Sequence, residues 1–271
     1  MILAAHGAGD GSEANRSVVW LAESLRARRP GVHFGCAFWS GTPTFREAAR
    51  SLCGRSPVVV PIISSDGYYA RIRLPEELAK GDPSRSFVIA PPIGTLPAFA
   101  RALETRVGGA LAGMNRRGLS PIVLLVGHGT TRVRSSGDAT RSVRDELAIT
   151  FPRTEILAAF LDESPRLAEV AESLGDRPVV VAPMLLGGGP HVLVDIKTAL
   201  NAPRKGGARR EADALTILPP ILKWPELPSL ALAALDLVTR PPSGRETREP
   251  REILDAVRSP APVGAGYTEV P

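Results

Sequence analysis

The chain has 271 residues, enough for two cores of about 120 residues each, and carries a net charge of +5 with only 5% aromatic residues. Its two cysteines, Cys36 and Cys53, lack any CxxC spacing, which excludes a disulfide framework and cysteine-ligated zinc or iron–sulfur sites and points to a reducing, cytoplasmic setting. Scattered arginines with few stacking residues argue against a nucleic-acid partner, no apolar run approaches the roughly 20 residues that cross a bilayer, and the opening residues Met1 to His6 lack the basic stretch and apolar run of a signal peptide, so no membrane association is expected.

The chain opens on a short apolar run over residues 1–5 that ends at His6-Gly7, a pattern that suits a parallel strand covered on both faces. A helix is expected over 12–28, stopping before Pro30, and a second strand ends near Trp39. Thr42-Pro43 then reads as a hydroxyl N-cap followed by proline at the first helical position. A third strand over 57–61 leads into a glycine-containing loop, a fourth ends at Pro91-Pro92, and an apolar helix over 96–114 closes this half. A linker follows at 115–120.

The same order then repeats. His6-Gly7 recurs as His128-Gly129, Ala37-Phe38 as Ala159-Phe160, Pro43 as Pro165, Pro61 as Pro183 and Gly67 as Gly189, all at an offset of 122. The second half therefore has strands at 122–126, near Leu161 and at 178–183, a helix at 138–150, the cap pair Ser164-Pro165, and a closing helix at 225–238. Pro91-Pro92-Ile93 matches Pro219-Pro220-Ile221 at 128, which places a six-residue insertion near 205–211 and the arginine cluster of 204–210 in a loop. Strict alternation of strand and helix predicts an α/β fold of two duplicated doubly wound domains, each with a four-stranded, mostly parallel sheet. The expected boundaries are 1–116, 117–240 and a flexible tail at 241–271 rich in Pro, Gly, Arg and Glu.

In open α/β sheets the ligand crevice lies beyond the carboxyl ends of the strands. In the second half that edge carries His128 after the first strand, Asp162-Glu163 after the second, and His191 after the third within Gly187-Gly188-Gly189-Pro190-His191. Two imidazoles with a carboxylate can bind a borderline divalent ion such as Fe²⁺, Co²⁺ or Ni²⁺ and accept protons near neutral pH. The glycines Gly188 and Gly189 remove side chains where a large flat ligand could approach the backbone. In the first half His6 remains, but Tyr69 stands 122 residues before His191, Ser40 before Asp162 and Arg73 before Asp195, so the metal site there is degenerate. Gly7-Ala8-Gly9 and Gly127-His128-Gly129 lack the spacing and acidic residue of a dinucleotide fingerprint.

The strand-His-Gly opening at Gly127-His128-Gly129, the segment Ala159-Phe160-Leu161-Asp162 before Ser164-Pro165, and the segment from Pro183 through His191 to Asp195 resemble the class II tetrapyrrole chelatases, of the sirohydrochlorin cobaltochelatase and ferrochelatase type. The resemblance covers residues 1–238 in the two-half long form. It implies that His128 and His191 bind the metal and assist deprotonation, with Asp162 or Glu163 as the catalytic carboxylate. It also implies a carboxylate-rich tetrapyrrole as small-molecule substrate in siroheme or cobalamin formation, with the divalent metal as co-substrate and no organic cofactor. Residues flanking the cleft, His6, Tyr69, Arg71, Arg132, Arg134, Gly188 and Gly189, are expected to contact that substrate. Because duplication supplies both walls of the cleft, a monomer is expected; the rival reading is a metallochaperone or tetrapyrrole carrier using the same histidines.

Overall fold

The computed structural model describes residues 1–51, 57–115, 117–129, 137–185, 190–202 and 211–239. The first half runs β1 (Ile2–Gly7), α1 (Glu13–Arg28), β2 (Gly35–Ser40), α2 (Phe45–Ser51), β3 (Val58–Ile62), α3 (Leu74–Gly81), β4 (Val88–Ile89) and α4 (Pro97–Asn115). The second runs β5 (Ile122–Gly127), α5 (Asp138–Thr150), β6 (Ile156–Phe160), α6 (Leu167–Ser173), β7 (Val179–Pro183), α7 (Pro190–Asn201), β8 (Leu215–Ile217) and α8 (Leu227–Thr239). Each half holds one four-stranded sheet, ordered β2-β1-β3-β4 and β6-β5-β7-β8, and every strand pair is parallel. The duplicated α/β architecture expected from the repeat is thus present, with wholly parallel sheets. The basic loop at 204–210 and the tail from 241 lie outside the described residues.

Central strands are apolar on both sides because both faces are covered. Every residue of β5 and β7 is buried, whereas in β1 only His6, the penultimate residue, is exposed. The helices begin and end for local reasons. Ser12 accepts a hydrogen bond from the Asn15 amide at 3.2 Å and caps α1, and Arg26 and Arg28 occupy its last turn, where cations suit the helix dipole.

Two helix starts differ from expectation. Thr42-Pro43 and Ser164-Pro165 are not cap pairs: both peptide bonds are cis, and α2 and α6 begin at Phe45 and Leu167. The proline carbonyls instead accept the Phe38 and Phe160 amides, each at 3.0 Å, so the chain is still bridging back to its strand at this point. Capping passes to the next residues. Glu47 accepts from the Thr44 amide at 2.7 Å and Glu169 from the Arg166 amide at 2.9 Å, which satisfies an orphan donor at each new helix start.

A π-helical turn over Tyr69–Arg73, leading into α3, replaces the plain loop expected after the third strand. The two halves share one core: Phe99, Leu103, Val107, Leu111 and Met114 of α4 pack in the same cluster as Leu125, Val180, Leu230, Ala234 and Leu235. Separate clusters line the outer face of each sheet. Met1–Val238 accordingly form one compact unit. Among the described residues no helix is long and apolar enough to cross a membrane.

The halves also share a direction. Glu13, at the start of α1, pairs with Lys223, just past β8, while Arg29, at the end of α1, pairs with Asp236 near the end of α8. Helices α1 and α8 thus run alongside each other, each away from the carboxyl edge of its own sheet. Both carboxyl edges consequently open on the same side of the molecule.

Candidate functional site

The strand order reverses direction between β1 and β3, and likewise between β5 and β7, so the crevice at the carboxyl ends of these pairs is where a doubly wound sheet presents ligands. In the second half β5 delivers His128 to this point. The loop after β6 is laced to it by backbone bonds, since the Leu161 and Asp162 amides both donate to the His128 carbonyl, at 3.1 and 2.9 Å. Asp162 is thereby held beside the imidazole, with its Oδ2 3.3 Å from His128 Nδ1. The His128 and Asp162 side chains are 65% and 62% exposed, open to an incoming ligand.

His128 Nδ1 also lies 3.1 Å from the Gly129 carbonyl. Both neighbours of Nδ1 are acceptors, so the neutral ring keeps its proton there and presents the Nε2 lone pair outward, the arrangement typical of a metal-binding histidine oriented by a carboxylate.

Glu163 has a different surrounding. Its side chain is only 15% exposed and pairs with Arg141, whose guanidinium lies 4.6 Å above the Phe160 ring. It fills the space beside two glycines: a Cβ on Gly129 would meet Glu163 Cβ at 2.5 Å, and one on Gly137 would meet Glu163 Oε1 at 2.6 Å. Of the two adjacent carboxylates, the structure brings Asp162 to His128 and turns Glu163 inward as a clamp between loops. Arg141 was not singled out by sequence; its spacing from Glu163 carries no local signature.

Pro190 opens α7 and His191 is its second residue, so the backbone sets His191 at the carboxyl side of β7, next to β5 in the sheet. The His191 side chain, and Arg132, Arg134, Gly188 and Gly189 altogether, lie outside the described residues. Among the described residues no three His, Cys, Asp or Glu side chains come together as a ready metal cage.

In the first half His6 Nδ1 lies 3.0 Å from the Gly7 carbonyl, as in its counterpart, but the groups around it are aromatic. The Tyr69 ring sits 5.2 Å from His6 and 5.2 Å from Trp39, each at 70°, and Tyr68 meets Tyr69 at 5.9 Å. Trp39 is backed by Phe45 at 4.5 Å. Arg71, on the same π-helical turn, is 70% exposed and pairs with Asp66 at 2.7 Å. Trp39 and Tyr68 escaped the sequence reading, although Tyr68-Tyr69 are two of only three tyrosines and directly follow a glycine loop.

A family model described as CbiX matches residues 1–110 and again 122–223. The "Probable sirohydrochlorin cobaltochelatase" of Halobacterium salinarum is 23% identical over 218 residues, covering 72% of this chain and 74% of that protein. Among solved structures, CbiX described as the terminal enzyme for biosynthesis of siroheme in denitrifying bacteria superposes with a TM-score of 0.65 at 22% identity, over 88% of this chain and 98% of that one. SirB from Bacillus subtilis with Fe³⁺ gives 0.64 at 20% identity, over 86% and 92%.

Proposed function

The chain belongs to the CbiX family, and from that premise we propose that it inserts a divalent metal, Co²⁺ or Fe²⁺ with Ni²⁺ as a further candidate, into sirohydrochlorin or a closely related carboxylate-rich tetrapyrrole, in siroheme or cobalamin formation. The observation that carries this reading is the solvent-open His128–Asp162 pair at the point where the sheet order reverses, in the half that also retains His191.

Metal insertion replaces two pyrrole N–H protons by one M²⁺, so the site must hold the ion while it sheds water and must take two protons away. His128, with Nδ1 facing Asp162 and the Gly129 carbonyl, offers Nε2 either as a ligand to the ion or as acceptor of a pyrrole proton. Asp162 stabilises the imidazolium that results and, being exposed, passes the proton to solvent. His191 serves as the second imidazole. The ion is a substrate in this scheme, and no organic cofactor takes part. The net charge of +5 favours approach of a polyanionic macrocycle, whose carboxylates Arg71, Arg132 and Arg134 are suited to meet. Both walls of the cleft come from one chain, so the protein works as a monomer.

Anaerobic incubation of a small amount of protein with excess sirohydrochlorin and Co²⁺ or Fe²⁺, followed by absorbance, tests the proposal. Many product molecules per protein molecule support it. Uptake that stops at one metal or one macrocycle per chain would instead identify a carrier.

A further inference from the structure

Four residues of α1 stand on one stripe turned away from the core. Arg16, Val19, Trp20 and Glu23 are spaced i, i+3, i+4 and i+7, so they share one side of the helix, and all four are exposed. Val19 is 41% and Trp20 59% exposed, whereas Val18, Leu21 and Leu25 carry the apolar side of the same helix into the shared core. The second half has no such stripe. At the positions 122 residues on, α5 carries Asp138, Arg141, Ser142 and Asp145, and Arg141 is engaged by Glu163. An exposed Val-Trp pair is therefore not something the duplicated fold requires.

The stripe borders two hollows. One, of about 270 Å³, lies among Val19, Ala22, Cys36, Pro43 and Ala48; the other, of about 330 Å³, has Val19, Trp20 and Phe38 in its wall. The neighbouring edge strand β2 does not offer a free ladder, because the Phe38 amide is already given to the Pro43 carbonyl. Contact at this side of the molecule thus falls to the helix face. The order of its charges singles out the partner. Arg16 lies three residues before Val19 and Glu23 three residues after Trp20, and among the described residues neither forms an ion pair. A two-fold axis between Val19 and Trp20 sets a second α1 antiparallel to the first, with Arg16 opposite Glu23 twice and Val19 opposite Trp20 twice. The stripe is complementary to itself, as an isologous interface must be, while a parallel arrangement would set like charges face to face.

We infer that this face of α1 is a self-association surface: two copies of the chain pair antiparallel through it, Trp20 of each entering the hollow beside Val19 of the other. An aromatic anchor in an apolar hollow, ringed by matched charges, is the usual make-up of the centre of an interface. Each chain keeps both walls of its own cleft, so the catalytic unit is still one chain.

Sedimentation velocity of the whole chain over a range of concentrations reads the association, with circular dichroism to show that each variant is folded. The parent should pass from monomer to dimer as its concentration rises to about 100 μM, and no further, because the two-fold uses each stripe once. Trp20→Ala should weaken dimerisation about tenfold or more. Arg16→Glu and Glu23→Arg should each associate more weakly than the parent, since each sets like charges opposite one another. An equimolar mixture of these two variants should form heterodimers, because both facing pairs are then of opposite sign. A parent that stays monomeric throughout that range leaves the stripe to a different protein and overturns the inference, as does a dimer indifferent to Trp20→Ala. Charge variants that associate as the parent does, or a mixture no tighter than its components, overturn it as well.

Discussion

Asn15 and Glu163 fill the same space in the two halves from opposite sides. Asn15 reaches from α1 to accept from the Ala8 amide at 2.9 Å and donate to the Ser40 carbonyl at 3.2 Å, across a bare Gly41. At the positions 122 residues on, the helix side carries Gly137 and the loop side carries Glu163, which pairs with Arg141. The loops after the first two strands are pinned together in both halves, by an amide in one and an ion pair in the other.

This exchange predicts a graded set of stability losses. Asn15→Ala, which takes the acceptor from the Ala8 amide and leaves the Ser40 carbonyl with the Gly9 amide alone, should cost about 1–3 kcal/mol. Gly137→Ala places a Cβ 2.8 Å from the Phe160 ring, and about 1–3 kcal/mol is expected from overpacking. Gly7→Ala should cost more than either, because φ is +74° and the new Cβ would lie 2.2 Å from the Ser40 carbonyl oxygen, which is backbone and cannot swing aside. Gly11→Ala, at φ +72° but in open space, separates the strain of φ from the clash. Denaturant titration reads all four; a Gly7→Ala chain as stable as the Gly11→Ala chain would contradict the close approach.

The two neighbouring carboxylates should separate by phenotype. Asp162→Asn removes the negative charge beside His128 Nδ1 while leaving the Gly129 carbonyl and the backbone bonds that position the loop, and is expected to lower kcat for metal insertion about 10–100-fold with little change in stability. Glu163→Gln should do the reverse, costing about 1–3 kcal/mol by removing the half-buried carboxylate from Arg141, which then keeps only the carboxylate of Asp138 at 3.4 Å, with a smaller effect on rate. Matched melting curves and initial rates decide it. Equal rate losses in both variants would mean that Glu163 reaches the chemistry.

The asymmetry between halves gives a third expectation. His128→Ala and His191→Ala should each reduce insertion by orders of magnitude with the fold retained, whereas His6→Ala should chiefly raise KM for the macrocycle. A chain silenced by His6→Ala at saturating macrocycle, but active as His191→Ala, would reverse the assignment.

The repeat made the architecture legible, because identical spacing of His-Gly, Ala-Phe and proline pairs fixes the element order twice over. Continuous apolar runs such as Ile122–Gly127 and Val179–Pro183 then imply strands buried on both faces. Thr42-Pro43 misled because a hydroxyl followed by proline has the same local pattern whether proline opens a helix or turns the chain back onto its strand. Only the long-range bond from the Phe38 amide to the Pro43 carbonyl distinguishes the two. The choice between Asp162 and Glu163 was equally out of reach. It depends on Arg141, 22 residues before Glu163, claiming one of the pair. Trp39 meets Tyr69 and His6 only through the parallel pairing of β1 with β2 and β3, a long-range relation that no local pattern announces.

The last expectation concerns acid. Glu226 is pushed upward by burial, but the hydrogen bond and charge of Arg106 outweigh this and leave its pKa below the usual value; Glu13 is lowered by the hydrogen bond and charge of Lys223. Both pairs join the first half to the second. A carboxylate whose folded pKa lies below its unfolded one binds fewer protons when folded, so its contribution is complete above the ordinary carboxylate value of about 4.3 and fades as pH falls through the folded pKa. Melting temperature should therefore change little with these groups between neutral pH and pH 5 and fall below pH 4. Glu226→Gln should melt a few degrees below the parent at pH 7, and the difference should close towards pH 3, where the parent's carboxylate is protonated as well. Since these side chains are partly or wholly exposed, added salt should shrink the same difference at pH 7. A gap that stays constant from pH 7 to pH 3 would show that Glu226 acts through packing against the Arg106–Trp224 stack and not through its charge.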